Sequence, residues 1–225
     1  MASVFITNAN IDWGSEALLA RYADRERDFF DLGANIGYYA AYFSPLVRRS
    51  YAFEPDVRNY PGLRKNASLS PNIEIIEAAV SSRNGTAELF PGSRAAVSSL
   101  ERIDGVRPVS VRVTTIDSFV AEHPGINPCL VKIDIEDHDI QALRGMEKTI
   151  TEFQPLILTE CELNSELWSL CGRWKYEIYG FVRDRKTLKT CFRHFPPAGG
   201  TEEWTNMLFL VPQALNLEFA SLAAA

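Results

Sequence analysis

Apolar residues recur along this chain in two alternating patterns, short runs and a helical spacing. The first run covers residues 29–32 and predicts a strand. The residues that follow it at i, i+3, i+4 and i+7 form one face of a helix, made by Ile36, Tyr39, Ala40 and Phe43. Pro45 ends this pattern, so we expect a helix over residues 36–44.

The same alternation of strand and helix patterns continues to residue 211. Further strands are predicted over residues 50–54, 73–76, 109–113, 129–134, 155–159, 176–182 and 207–211. Helices are predicted over residues 57–69, 115–120 and 164–172, with another whose face runs from Ile140 to Ile150. Residues 80–90 are predicted to form a hairpin with its turn at Asn84-Gly85. Residues 183–203 are predicted to form a polar connection. This order predicts an open α/β sheet with helices on both faces.

A glycine turn joins the first strand to its helix, with the pattern Asp31-x-Gly33-x-Asn35-x-Gly37. Glycines let the backbone approach a ligand, and the N–H groups of a helix start point at it, so this is a candidate nucleotide cradle. The third glycine of the dinucleotide fingerprint and the Walker lysine are both missing. A carboxylate at Asp31 would repel a pyrophosphate and attract a sulfonium, which favours S-adenosylmethionine over NAD. An ordinary turn with structural glycines remains the alternative.

Acids also follow the next two predicted strands. Glu54 comes 17 residues after Gly37, and in a strand–helix–strand unit such an acid can accept both hydroxyls of a ribose. The alternative is that Glu54 simply ends the strand and caps the following helix. Glu77, Ala78 and Ala79 end the third strand, and the small residues would leave room for an adenine. Residues 91–108 are predicted as a loop that covers the ligand or is a plain surface excursion.

Charged residues crowd the turn after the strand over residues 129–134. They are Asp134, Glu136, Asp137, His138 and Asp139. Capping and the helix dipole can explain Asp137 and Asp139, but not Asp134 at the strand end. Asp134 and Glu136 could hold a divalent ion together with Glu160, or could bind a substrate, and the spacing does not decide between these two roles. No metal is therefore predicted.

Composition limits the class of protein. The chain has 225 residues, 46% of them hydrophobic, which is enough for one large domain. We divide it into an N-terminal arm and helix (1–27), a core sheet (28–211) and a tail (212–225). The net charge of −6 and the lack of a basic run argue against a nucleic-acid partner. Neither a signal segment nor a membrane span is predicted, and the four cysteines show no C-x-x-C pair, so we expect a cytoplasmic enzyme with reduced thiols.

Four motifs in this order, FFDLGANIGYYAAYF, YAFEPD, VTTIDSF and LVKIDIEDHDIQALRGME, resemble the FkbM family of S-adenosylmethionine-dependent methyltransferases over about residues 28–160. The resemblance implies a class I methyltransferase (Rossmann-like) sheet, mostly parallel and seven-stranded with the last strand antiparallel, and O-methylation of a hydroxyl on a sugar or natural product. It also implies that the methionine end of the cofactor is held by Asp31, Gly33, Asn35 and Gly37. Glu54 would hold the ribose, and Asp134 and Glu136 would face the reaction centre.

The chain departs from the family pattern at Asp137, where glycine usually follows K-I-D-x-E. A hydroxyl acceptor must lose its proton, and we take Asp134 or His138 as the base, alone or with a metal. Asp134 is the better placed, whereas His138 has the more suitable ordinary pKa. Two alternatives stay open: an NAD-dependent oxidoreductase on a similar sheet, and a degenerate domain that binds the cofactor or a partner without catalysis.

Overall fold

The computed structural model describes residues 13–92, 98–184, 186–197 and 204–224, without the side chains of Trp204 and Asn206. Contacts group the chain into two compact units. One unit is Ala23–Ile157, and the other combines Met1–Tyr22 with Leu158–Ala225. Residues 1–12 of the predicted N-terminal arm and helix lie outside the described residues, and the division into arm and helix, core sheet and tail stays a prediction.

Strands and helices alternate through most of the described chain. The strands are β1 Asp28–Leu32, β2 Arg49–Phe53, β3 Ile73–Ile76, β4 Ala79–Val80, β5 Gly85–Leu89, β6 Val109–Thr114, β7 Pro128–Ile133, β8 Leu156–Thr159, β9 Tyr176–Arg183, β10 Thr190–His194 and β11 Trp204–Pro212. The α-helices are α1 Ser15–Ala20, α2 Tyr38–Phe43, α3 Tyr60–Ala67, α4 Ile116–Glu122, α5 Asp139–Arg144, α6 Glu147–Phe153, α7 Ser165–Trp174 and α8 Asn216–Ala223.

The unit Ala23–Ile157 is built on parallel strands in the order β7-β1-β2-β3. Every residue of β1 and β7 is buried, as expected for central strands covered on both faces. Phe30 of β1 packs edge-to-face against Tyr51 and Phe53 of β2 and against Phe119 of α4. Since the strands are parallel, their carboxyl ends lie along one edge, and the predicted site residues follow those ends.

Two predictions in this unit are wrong. Residues 80–90 do not form a hairpin, because β4 and β5 each pair with β6 in a separate sheet, β4 parallel and β5 antiparallel to it. The predicted helix from Ile140 to Ile150 is two helices, α5 and α6, separated at Gly145 and Met146. A Cβ on Gly145 would lie 2.0 Å from the carbonyl oxygen of Ser81, so the backbone there is held against the strand that ends at Val80.

The second unit is mainly antiparallel in its described strands. β9 pairs with β10 on one side and β11 on the other, both antiparallel, so the last strand is antiparallel to its neighbour as predicted. β10 lies within the predicted polar connection over residues 183–203. It is a mostly exposed edge strand beside β9, and the predicted seven-stranded sheet did not include it. Phe219 of α8 is fully buried against Tyr179 and Phe209, so the predicted tail contributes to the core.

None of the described helices has both the length and the apolar composition needed to cross a membrane.

Replacement of Gly33 by alanine tests how tightly β1 and β7 are joined. Gly33 has φ +80, and a Cβ there would lie 2.0 Å from the carbonyl oxygen of Asp134. We expect Gly33→Ala to lower the free energy of unfolding by roughly 3 kcal/mol or more, because backbone would have to move. Gly172→Ala in α7 is the control, since it meets nothing within 4 Å. It should be neutral or stabilise by about 0.5–1 kcal/mol in urea unfolding. Equal stability of the two variants would contradict the packing described.

Candidate active site

The turn after β1 is fixed by backbone contacts to the neighbouring strand. The N–H groups of Gly33 and Ala34 both donate to the carbonyl oxygen of Phe53, at 3.0 and 2.9 Å. Asn35 and Gly37 take left-handed conformations, with φ of 53° and 79°. Glycine adopts this conformation freely, and asparagine tolerates it better than most residues. The sequence pattern therefore corresponds to a turn whose shape requires these residue types.

Glu54 joins this turn to the one that follows β2. One of its carboxylate oxygens accepts the N–H of Asn35 at 2.7 Å, and the other accepts the N–H of Asp56 at 2.7 Å. Only 4% of Glu54 is exposed. Burial raises the pKa of this carboxyl to about 7, against the lowering effect of its hydrogen bonds from Asp56, Asn59 and Asn35. Glu54 is therefore close to balance between its two protonation states at neutral pH.

Asp31 is enclosed beneath the turn instead of facing solvent. Its side chain is 1% exposed, and one oxygen accepts the N–H of Ala40 in α2 at 2.9 Å. The other oxygen has no hydrogen-bond partner among the described residues and lies 3.6 Å from the Lys132 ammonium. Burial raises the pKa of Asp31, opposed by the charge of Lys132. In this structure Asp31 fixes the start of α2, and its predicted contact with the cofactor remains a prediction.

Lys132 is a site residue that sequence reasoning missed. It lies within the buried strand β7, and its side chain is 4% exposed. Its ammonium donates to the carbonyl oxygen of Gly33 at 3.1 Å and lies 3.1 Å from a carboxylate oxygen of Asp134. It also lies 5.2 Å from the ring centre of Tyr39. In the sequence, the feature that could have identified Lys132 as a site residue is that it is the single charged residue in the apolar run CLVKI.

Asp134 and Glu136 lie directly beyond β7. The Asp134 side chain is 36% exposed, so one face of this ion-paired carboxylate is accessible. Glu136 has φ 47° and is partly buried. Burial raises the pKa of Glu136, and repulsion from Asp134 and Asp137 raises it further. Among the described residues, no group of three histidine, cysteine or acidic side chains could hold a metal ion.

His138 is held between two other side chains. Its Nε2 lies 2.9 Å from the hydroxyl of Ser81, and its Nδ1 lies 3.4 Å from a carboxylate oxygen of Glu101. Its side chain is 12% exposed. Both ring nitrogens are therefore engaged, and this leaves Asp134 as the more accessible of the two predicted bases.

Residues 98–101, within the predicted loop, connect the two sides of the site. The Ser98 hydroxyl donates to Asp56 at 2.6 Å and accepts from Arg58 at 2.8 Å. The Ser99 hydroxyl donates to the carbonyl oxygen of Glu136 at 3.0 Å. Burial alone would raise the pKa of Asp56, but its bonds to Arg58 and Ser98 outweigh burial and hold it below its ordinary value. This part of the loop is thus attached to the site at both ends.

The three residues predicted to surround an adenine follow the end of β3. Glu77 is half exposed and forms an ion pair with Arg64 at 2.6 Å. Ala78 and Ala79 are buried. The N–H of Glu54 donates to the carbonyl oxygen of Ile76 at 3.1 Å, so the ends of β2 and β3 are adjacent. Their role in cofactor binding stays a prediction.

Comparison with known proteins identifies the family. Residues 31–185 match the model of the methyltransferase FkbM domain. The chain belongs to the FkbM methyltransferase family. The match begins within β1, at Asp31, and runs past the end of β9, so it includes the turn, Glu54, Lys132 and the acidic residues after β7.

A curated relative and two solved structures are similar to this chain. The relative is the hexuronic acid methyltransferase AglP of Haloferax volcanii, 26% identical over 134 residues, which cover 59% of this chain and 55% of AglP. The matched region thus spans about half the length of that relative. The methyltransferase FkbM structure from Methylobacillus flagellatus is 19% identical, with a TM-score of 0.52, covering 82% of this chain and 43% of that one.

The second structure is the precorrin-6y C5,15-methyltransferase of Geobacter metallireducens. It is 10% identical, with a TM-score of 0.50, and the match covers 88% of this chain and 87% of that one. At these identities the two structures establish the fold, which is the α/β fold of class I methyltransferases with a mostly parallel central sheet.

The departure from the FkbM pattern at Asp137 has a backbone explanation. Asp137 has φ 62° and follows Glu136, which is also left-handed. Glycine enters this region without steric cost, and aspartate is among the residues that enter it more readily than most others. The turn therefore takes a left-handed conformation with aspartate at this position, and the acid adds a negative charge near Glu136.

The raised pKa of Glu54 predicts how stability depends on pH. Between its ordinary pKa of 4.5 and about 7, the folded carboxyl keeps a proton that the unfolded chain has released. The contribution of Glu54 to the free energy of unfolding therefore falls as the pH rises through this window, by about 3 kcal/mol in all. Glu54→Gln should show a flatter dependence than the wild type in urea unfolding from pH 4.5 to 8. Parallel curves would contradict the assignment.

Proposed function

We propose that this protein uses S-adenosylmethionine to methylate a hydroxyl group of a sugar or a related natural product. The FkbM family supports methyl transfer and implies this cofactor. The hexuronic acid named for the similar protein AglP supports a sugar-related acceptor. The observation that carries the proposal is the accessible carboxylate of Asp134, joined through Lys132 to the glycine turn.

The residues of the turn fit the proposed cofactor. The carboxylate of Glu54 accepts two backbone N–H groups and a side-chain hydrogen bond from Asn59, and the acceptor capacity that remains could receive a ribose hydroxyl. Gly33 and Gly37 add no side chain to the turn, and Asn35 continues it in the left-handed conformation. We propose that these residues hold the cofactor, with Asp31 acting through the start of α2.

The acceptor hydroxyl would be prepared by the acids after β7. The bound cofactor supplies a methyl carbon already activated by a sulfonium, so the protein must orient the acceptor, exclude water and remove a proton. Asp134 is the proposed base, because it is accessible and fixed in position by Lys132. Glu136 is the second candidate, since a raised pKa makes a carboxylate a better proton acceptor.

The acceptor is proposed to be a small molecule and not a nucleic acid. The net charge of −6 supports this choice, because phosphate backbones are bound by clustered lysine and arginine. The cytoplasmic location and the reduced state of the cysteines stay predictions. None of the four cysteines, all of which lie in the described part of the chain, forms a disulfide.

Two alternatives compete with this proposal. The NAD-dependent oxidoreductase is disfavoured by the missing third glycine and by membership of a methyltransferase family. The degenerate domain would bind S-adenosylhomocysteine, the product form of the cofactor, without turning over any acceptor. These outcomes can be separated by measuring binding and turnover in the same preparation.

Replacement of Asp134 by asparagine tests the proposed base. With labelled S-adenosylmethionine and a panel of hexuronic acids, neutral sugars and phenols, the wild type should methylate at least one acceptor. Asp134→Asn should lower kcat by roughly 100-fold or more, the usual contribution of a general base, and leave the Kd for S-adenosylhomocysteine within a few-fold.

Glu74→Gln is the matched control for loss of one acidic charge, because Glu74 pairs with Arg49 in β2 and lies in β3 outside the site. It should retain wild-type turnover. Full activity of Asp134→Asn would remove Asp134 from the mechanism. Binding of S-adenosylhomocysteine by a wild type that methylates nothing would favour the degenerate domain.

A further inference from the structure

Most buried charges in this unit belong to carboxylates, and Lys132 is the exception within β7. The register of the parallel strands places Lys132 directly beside Asp31 of β1. Both side chains are almost completely buried, at 4% and 1% exposure. A buried ammonium is costly unless it is paired and hydrogen-bonded. The position of Lys132 is therefore set by the groups around it.

Lys132 contacts groups on both sides of the candidate site. On the β1 side its ammonium donates to the carbonyl oxygen of Gly33 at 3.1 Å, and it lies 3.6 Å from Asp31. On the β7 side it lies 3.1 Å from Asp134. The first of these contacts is to the proposed cofactor turn and the last is to the proposed base. One side chain thus links the two parts of the site that must be aligned for transfer.

We infer that Lys132 is a positioning residue for the proposed methyl transfer, because its ammonium holds the Asp134 carboxylate and the Gly33 carbonyl oxygen in one fixed arrangement. This inference rests on the proposed function. Lys132 does not itself act on the acceptor, since it is buried. Its effect is transmitted through Asp134, whose orientation and charge it controls.

The charged groups that surround Asp134 determine what removal of Lys132 would do. Lys132 is the cation among them. The acids Asp31 on β1 and Glu136 in the turn interact electrostatically with Asp134, and Asp137 and Asp139 act in turn on Glu136. Removal of the ammonium takes away a positive charge 3.1 Å from Asp134 and leaves this repulsion in place, so the carboxylate would gain protons more easily. An opposite charge at such a distance lowers the pKa of a carboxyl by about one to three units.

A competing explanation is that Lys132 only neutralises the buried Asp31. Removal of Lys132 alone would leave Asp31 as an unpaired buried charge and could unfold the protein. The test therefore uses Asp31→Asn as the background, because the neutral asparagine no longer needs Lys132 to balance a buried negative charge. The decisive comparison is between Asp31→Asn and the double variant Asp31→Asn with Lys132→Met. Lys132→Gln replaces Lys132→Met if the first double variant does not fold.

The readout is the titration of Asp134 followed by NMR of carboxyl-labelled aspartate, with Asp134→Asn used for assignment. The titration midpoint of Asp134 should rise by about one to three pH units when Lys132 is removed from the Asp31→Asn background. An unchanged midpoint would overturn the inference. Because no acceptor is needed, this result is independent of whether the proposed methyl transfer is correct.

Arg48→Met is the matched control. Arg48 pairs with the buried Asp28 at the opposite end of β1, so its loss also removes the cation of a buried carboxylate. It should lower stability and leave the Asp134 midpoint in place. Once an acceptor is known, the double variant should have a lower kcat than Asp31→Asn, with the acidic limb of its pH–rate profile moved to higher pH. Equal kcat values and coincident profiles would also refute the positioning role.

Discussion

The site depends on the close approach of two backbone segments, Gly33 after β1 and Asp134 after β7. A Cβ on Gly33 would lie 2.0 Å from the carbonyl oxygen of Asp134, so only glycine allows the strand ends to meet in this way. The parallel pairing of residues 29–32 in β1 with residues 130–133 in β7 produces this approach, and with it the contact of Lys132 with both segments. The proposed cofactor turn and the proposed base are therefore positioned by the same pair of strands.

Charge is the second constraint on this edge of the sheet. Asp31, Glu54 and Glu136 each have a pKa above the ordinary value, with burial as the largest cause in every case. Different partners stabilise the charged forms of these acids. Backbone N–H groups donate to the carboxylates of Asp31 and Glu54, and the positive charge of Lys132 acts on Asp31 and Glu136. Burial thus raises the pKa of three acids along this edge of the sheet, and shifted pKa values of this kind are concentrated at functional sites.

Sequence patterns predicted the parts of the fold that repeat regularly along the chain. The strand–turn–helix at Asp31 to Gly37 and the acid at Glu54 could be predicted because their spacing follows from one βαβ unit. β10 was missed because an exposed edge strand has no apolar face to produce an alternating pattern. The interruption at Gly145 was missed because it depends on the approach of Ser81, which is distant in sequence.

Side-chain direction was the least predictable property of the site. The sequence placed Asp31 at a strand end, but its hydrogen bond to the start of α2 and its almost complete burial become visible only in the three-dimensional packing. Lys132 was missed for the related reason that a lone lysine in an apolar strand has no spacing motif. Its partners come from β1 and from the turn after β7, and they become visible only when the strands are paired.

We expect the Gly33–Gly37 turn and Glu54 to form a site for S-adenosylmethionine. Calorimetric titration with S-adenosylhomocysteine, and separately with NAD, measures whether they do. The wild type should bind S-adenosylhomocysteine saturably at one site and should not bind NAD, and Glu54→Ala should bind S-adenosylhomocysteine much more weakly. Binding of NAD alone, or binding of S-adenosylhomocysteine that Glu54→Ala leaves unchanged, would contradict this expectation.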